Sequence, residues 1–272
     1  MTNTETRKVV ILARGLGTRM RRESADADMT DEQRRAADAG MKAMIPVGRP
    51  FLDHCLSAYA DAGYSEACLV IGPEHDAVRD YYDGLQTSRI RITTAIQPEP
   101  LGTADAVLAA GEFVAGERFA MVNGDNYYPA DVMCAVRQAE GHVSAGFDRA
   151  ALVAGSNIPA ERVRAFALLV TDDDGTLQQI VEKPSEEQFV RLGADARISM
   201  NCFGFDASVF DAARRVLPSA RGELEIVDAV RGLIDGGEPV RVLPVEAGVL
   251  DMSNRDDVAA VADRLEESPV HL

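Results

Sequence analysis

Residues 8–20 read KVVILARGLGTRM, and the two halves of this stretch behave differently. Residues 8–13 form an apolar run of strand length with no polar alternation, the pattern of a strand buried on both faces. The chain then enters a loop with glycines at Gly15 and Gly17. Glycine lets the backbone turn sharply and bring its amides against a phosphate that side chains would obstruct, so the loop reads as an anion cradle. It is not the dinucleotide fingerprint, because the third glycine is missing and no helical pattern follows at once. It lacks the Gly-Lys-Ser/Thr ending of a Walker loop as well, and a short Gly-x-Gly after a strand can be only a turn.

Working outward, runs of strand length alternate with helical patterns, which predicts a parallel sheet with crossover helices. Residues 50–62 carry Phe51, Leu52, Cys55, Leu56 and Tyr59 on one helical face, and Gly63 is placed to end the helix. Residues 67–71 and 90–96 read as the second and third strands. Thr103 is positioned to cap a helix over 104–114, and Phe119–Asn123 is a fourth strand ending at Gly124-Asp125. The second half is more mixed. Residues 166–171 and 177–182 around a turn at 172–175 predict a hairpin. Then follow a strand at 198–205, helices at 207–216 and 223–234, a strand at Val240–Val245 and a closing helix over about 254–266. The pattern predicts an α/β protein with a Rossmann-like mixed, largely parallel sheet and flanking helices, in one domain over 1–272. Residues 21–40, charged and poor in apolar side chains, read as a loop with a short helix.

A chain of 272 residues buries about three quarters of the surface its unfolded form exposes, so one large core is sufficient. Its net charge is −16, from 28 Lys and Arg against 44 Asp and Glu. That field repels phosphate backbones and anionic lipid, which argues against nucleic-acid and membrane partners. Polyanionic substrates would require a few cations gathered locally together with a divalent metal. Cys55, Cys68, Cys134 and Cys202 are widely spaced in apolar runs, unlike zinc-binding pairs, and read as buried reduced thiols. The start, MTNTETRK, has no apolar signal core, and no run approaches the roughly 18 apolar residues of a membrane span. A cytoplasmic enzyme is expected.

Two cations lie in suggestive positions. Arg19, after Thr18 at the end of the glycine loop, can grip two phosphate oxygens, and Lys42 precedes the apolar stretch 43–47. Around them stand further motifs: LARGLGTRM at 12–20, IPVGRPFLDHCLSAYADAGYSEACLVIG at 45–72, QPEPLGTADAV at 97–107, MVNGDNYYP at 121–129, IVEKP at 180–184 and RGELEIVDAV at 221–230. Taken in this order, over roughly residues 8–255, the set resembles the sugar-1-phosphate nucleotidyltransferase family, most closely its thymidylyl- and uridylyltransferases.

The resemblance implies a nucleotide-binding half over about 1–125, a sugar-phosphate half over about 126–255 and a C-terminal helix. It implies nucleotide contacts at Leu12, Ala13, Gly15, Gly17, Thr18, Gln97 and Gly102. A glutamine amide offers one donor and one acceptor, which matches the imide edge of uracil or thymine, though a flipped amide suits guanine or adenine; glycine leaves room for the ring. Asp125 and Asp251 (in VLDMSN) would hold Mg²⁺, a hard cation suited to carboxylate and phosphate oxygens. Lys183 and Arg221 would bind the phosphate of a sugar 1-phosphate, and Glu182 its hydroxyls, with Asn201 in the pocket wall beside Gly204. Arg19, Lys42 and Lys183 are the implied catalytic cations, for in-line attack of a sugar phosphate on the α-phosphorus of an NTP.

The chain departs from the family pattern at Arg14, where a small residue is usual, at Met41 in place of proline, at Ala167 in place of glycine, and in a longer insertion between Arg19 and Lys42. Arg14 adds a cation near the triphosphate and could repel a productive metal geometry. Two other readings stay open: a nucleotide-sugar-binding regulatory paralogue without turnover, suggested by Arg14, and a cytidylyl- or molybdopterin-type transferase, whose members generally lack the PLGTA, EKP and GELE elements. No hexapeptide repeat follows Asp251, so no appended acyltransferase domain is expected. Homo-oligomers are common in the resembled family, and no interface is readable.

Overall fold

The computed structural model describes residues 5–15, 17–21, 29–193 and 196–272. Its main sheet is built from β1 Lys8–Leu12, β2 Glu66–Ile71, β3 Arg91–Ile96, β4 Phe119–Asn123, β5 His142–Phe147, β6 Leu168–Thr171, β7 Leu177–Val181, β8 Arg197–Phe205 and β9 Val240–Val245. The order is β7-β6-β8-β4-β1-β2-β3, with β5 and β9 branching from β8. β1 lies parallel to both β2 and β4, and β3 continues the parallel run beyond β2. Antiparallel pairing begins at β8, which meets β4, β5 and β6, while β9 lies parallel to β5. The sheet is therefore Rossmann-like on one side and mixed on the other, as the change of sequence pattern near residue 125 predicts.

Alternate residues of β1 go to opposite faces: Val9 and Ile11 join one hydrophobic cluster and Val10 the other. Both faces are covered by helices, which is why the strand reads as a continuous apolar run rather than an alternating one. The helix Phe51–Asp61 stops where Gly63 turns at φ +94°. All four cysteines are unpaired; Cys55, Cys68 and Cys202 are buried and Cys134 half-buried. No helix among the described residues is long and apolar enough to cross a membrane.

Several elements differ from expectation. The helix after β3 is N-capped by Gly102, not Thr103, and runs Thr103–Ala109 before breaking into Gly111–Val114; a glycine inside the run weakens it. Thr103 is used elsewhere, its Oγ1 accepting the Ile226 amide at 2.8 Å. Strand β5 and the helices Asp76–Gly84 and Ala130–Gln138 were not expected. Within 21–40 a helix does form, Asp31–Asp38, with a Thr30–Gln33 capping box, while 22–28 lie outside the described residues.

Candidate active site

A cavity of about 370 Å³ opens at the carboxyl ends of the parallel strands, where open α/β sheets hold ligands. Leu12, Ala13, Gly15, Thr18, Lys42, Gln97, Gly102 and Asp125 all line it, together with Arg14, His75 and Glu223. These residues come from widely separated stretches of sequence, and the backbone shows how they converge.

Gly17 has φ +60°, and a Cβ there would lie 2.5 Å from the Gly40 carbonyl oxygen. Its missing side chain admits the backbone of Gly40, which brings the one-turn helix Lys42–Met44 against the loop. Lys42 then reaches the far side of the cavity, where its Nζ donates to Asp125 Oδ2 at 2.8 Å. The loop's far end is held from the C-terminal helix: buried Arg255 donates through Nε to the Met20 carbonyl at 2.8 Å and also pairs with Asp38. Arg19 is exposed and does not line the cavity. The loop arginine that does is Arg14. Its guanidinium donates to both carboxylate oxygens of Glu74, at 3.2 and 3.3 Å, and to the Gln97 carbonyl. Its charge is thus matched by a carboxylate, so the expected repulsion of a metal loses its basis.

Gln97 is 3% exposed. Its amide nitrogen Nε2 donates to the Gly102 carbonyl at 3.0 Å and to Asp105 Oδ2 at 2.8 Å. Gly102 sits at φ +122°, and a Cβ there would be 2.4 Å from the Leu224 carbonyl oxygen. The room that this glycine leaves is filled by the Leu224 backbone rather than kept for a ring. Leu224 donates to the Leu101 carbonyl at 2.7 Å and accepts the Ala104 amide at 2.8 Å, which stitches the 219–225 loop to the helix beside Gln97.

Asp125 follows β4 after Gly124. The next two residues, Asn126–Tyr127, pair antiparallel with Leu250–Asp251, and Met252 donates its amide to the Asp125 carbonyl at 2.8 Å. This small ladder sets Asp251 beside Asp125. Asp251 is 5% exposed. Burial, then the charge of Asp125, pushes its carboxyl up to about 6. Its Oδ1 accepts from Ser253 Oγ and Asn126 Nδ2, and its Oδ2 accepts from Arg162 Nη2 at 2.6 Å. Arg162 also binds Asp257 at 2.9 and 3.2 Å, the residue that closes the capping box of the helix Arg255–Leu265. No cluster of three or more His, Cys, Asp or Glu able to hold a metal occurs among the described residues. Two neighbouring carboxylates suit magnesium, which takes its remaining ligands from water and phosphate.

Glu182 and Lys183 follow β7, Asn201 lies in β8 and Arg221 in the 219–225 loop. None of the four lines this cavity; Glu223, two residues beyond Arg221, does. Arg221 is paired with Glu225 at 2.9 Å and with Glu223 at 3.5 Å. Burial and the charge of Glu225 raise the Glu182 carboxyl above its ordinary range, although the residue keeps an exposed surface. Lys183 has φ +44° and Asn201 φ +54°; with Ala115 they are the non-glycine residues at positive φ among those described. Such backbone costs energy and concentrates at sites that use it. Asn201 stands where the pairing of β8 with β5 shifts register between Ser199 and Phe203.

The nucleotidyl transferase family model matches residues 8–251. The chain belongs to that family. Among curated proteins, this transferase is 29% identical to a UTP–glucose-1-phosphate uridylyltransferase, AglF, of Haloferax volcanii, over 96% of this chain and 97% of that one. It is 30% identical to a low-salt glycan biosynthesis nucleotidyltransferase, Agl11, of the same organism, over 92% of this chain and 64% of that one. Identity is 30% to a glucose-1-phosphate thymidylyltransferase of Streptomyces antibioticus, over 95% and 64% respectively. In fold it is similar to the crystal structure of a UDP-glucose pyrophosphorylase complexed with UDP-glucose, with TM-score 0.72 at 15% identity, covering 97% of this chain and 99% of that one.

Several residues that build the transferase's cavity have no role in the sequence reading. Glu74, Asp105 and Arg162 each hold a predicted or flagged residue in place, over separations of 60, 8 and 89 residues. Asp105 stands inside the quoted QPEPLGTADAV motif, so its nearness to Gln97 was the one available signal.

Proposed function

We propose that the transferase joins UTP or dTTP to a sugar 1-phosphate, with glucose 1-phosphate the first candidate, giving a nucleotide sugar and pyrophosphate. The observation that carries this reading is that Lys42, Asp125, Gln97 and the glycine loop line one cavity, with Asp251 buried close behind Asp125. A nucleoside fits between Gln97 and the loop formed by Leu12, Ala13, Gly15, Gly17 and Thr18. Its phosphates then extend toward Lys42 and Asp125. The names of the relatives supply the sugar.

In the reaction a phosphate oxygen of the sugar phosphate attacks the α-phosphorus, the new P–O bond forms as the bond to the β-phosphate oxygen breaks, and pyrophosphate departs. No general base is needed, because the attacking phosphate is already ionised near neutral pH. Catalysis is then positioning and charge neutralisation. Lys42 and Arg19 neutralise the departing pyrophosphate; for exposed Arg19 this entails folding inward over bound phosphates. Lys183 and Arg221 aim the sugar phosphate, with Glu182 and Asn201 on the sugar, and the strained backbone of Lys183 and Asn201 supports that assignment. Asp125 and Asp251 are the residues to hold Mg²⁺, which when bound neutralises charge on the triphosphate. Unpaired thiols fit the reducing cytoplasm.

The test is a matrix of five nucleoside triphosphates against glucose, mannose, galactose and glucosamine 1-phosphates, read by pyrophosphate release with Mg²⁺. UTP or dTTP with one sugar should dominate, and Asp125→Asn should abolish turnover. Nucleotide binding with no product in any combination would return the chain to the regulatory reading, and a near-normal rate in Asp125→Asn would remove the metal assignment.

A further inference from the structure

We infer that Asp105 is a positioning residue that fixes which end of the Gln97 amide meets the base, and thereby excludes cytosine. The inference rests on the pyrimidine triphosphate reading above and adds the device that selects within it.

A side-chain amide can normally turn over, exchanging its donor and acceptor ends, and a glutamine alone does not say which base it reads. Here the choice is made by its neighbours. The two groups within hydrogen-bond distance of one end of the amide are the Gly102 carbonyl, at 3.0 Å, and an Asp105 carboxylate oxygen, at 2.8 Å. Both can only accept. Turning the amide over would put Oε1 against two acceptors, one of them charged, with nothing to donate. Both hydrogens of Nε2 are consequently used inside the protein.

The Gln97 backbone is used as well: its amide donates to the Ile71 carbonyl at 2.9 Å, and its carbonyl accepts from Arg14. What the side chain has left for a ligand is Oε1, an acceptor, on a residue that lines the cavity yet is 3% exposed. The imide of uracil or thymine carries a hydrogen on N3 and can donate to it. Cytosine has a lone pair on N3 instead, so acceptor would meet acceptor in a site with little water to intervene. A buried acceptor left unmatched in this way costs roughly a 10- to 100-fold loss of affinity.

The experiment measures the dissociation constants of UTP and CTP by calorimetry on the full chain, with pyrophosphate release followed in parallel on the same preparations. Wild type should bind UTP roughly 10- to 100-fold more tightly than CTP. In Asp105→Asn the new amide can donate to Gln97 Oε1, the glutamine is free to turn over, and the CTP-to-UTP ratio of constants should fall about tenfold. Asp105→Glu, which keeps an acceptor, should retain most of the preference. If Asp105→Asn is not recovered folded, Asp105→Leu releases the amide without adding a donor and is read the same way. A purely structural role for Asp105 would weaken both nucleotides equally, and an unchanged ratio overturns the inference. So does a wild type that binds CTP as well as UTP. Loss of turnover with the binding ratio intact would instead count against the functional reading and leave the latch standing.

Discussion

Arg162 shows how much a single side chain can carry without advertising itself. Its guanidinium holds Asp251 and Asp257 together, both largely buried, and so fixes one carboxylate of the candidate metal pair and the cap of the C-terminal helix at once. Removing one partner of a buried charge cluster leaves the others desolvated and unmatched, at a cost of about 3 kcal/mol or more. Arg162→Met is therefore expected to lower the melting temperature by roughly 6–12 °C for a domain of this size. Calorimetric melting checks it, and an unshifted transition would show that the cluster is solvated. Arg14 illustrates the limit of sequence at this scale. As an isolated letter in the glycine loop it reads as a surplus cation; beside Glu74 it is half of an ion pair, and nothing local in the sequence joins positions 60 residues apart.

At the scale of elements, legibility tracks how far a segment depends on its neighbours. Strands β1, β2 and β4 are apolar enough to be read in isolation, and the hairpin of β6 and β7 is marked by its DDDG turn. Strand β5 is HVSAGF, whose histidine, serine and glycine are poor advertisements for a strand. It becomes one because β8 and β9 supply partners on both sides. The candidate site divides in the same way. Glycine-loop and GD positions are visible as motifs, whereas the reason for Gly102 is the approach of a backbone more than a hundred residues away. Gly102→Ala forces a side chain onto the Leu224 backbone at a φ that L-residues avoid, and is expected to cost about 1–3 kcal/mol and to weaken UTP binding. Chemical denaturation and calorimetry would measure both, and a neutral effect on each would mean that the ladder can be dispensed with.

Across the whole molecule, a net charge of −16 opposes the arrival of a triphosphate even though Arg14 and Lys42 line the cavity. Adding salt screens that repulsion over a Debye length of about 8 Å at physiological strength. Association of UTP is accordingly expected to speed up between low and physiological ionic strength; a stopped-flow rate that falls instead would mean that the local cations dominate the approach. The core makes a second global prediction. Burial pushes the Cys68 and Cys202 thiols up to about 12 from an ordinary value of 9.0. Their neutral form is therefore favoured in the folded state, and the stability this contributes is complete below pH 9 and lost as pH rises toward 12. Stability should decline over that window, and the buried thiols should resist iodoacetamide at pH 8 until the protein unfolds. Rapid labelling of Cys68 or Cys202 in the native protein would contradict both statements.

The bonds between Leu224 and residues 101 and 104 have one further effect. They act as a mechanical strut between the wall that carries Gln97 and the loop that carries Arg221, so tightening one end stiffens the other. The Leu224 amide is consequently a reporter: its hydrogen exchange should slow when UTP alone is added, in the absence of any sugar phosphate.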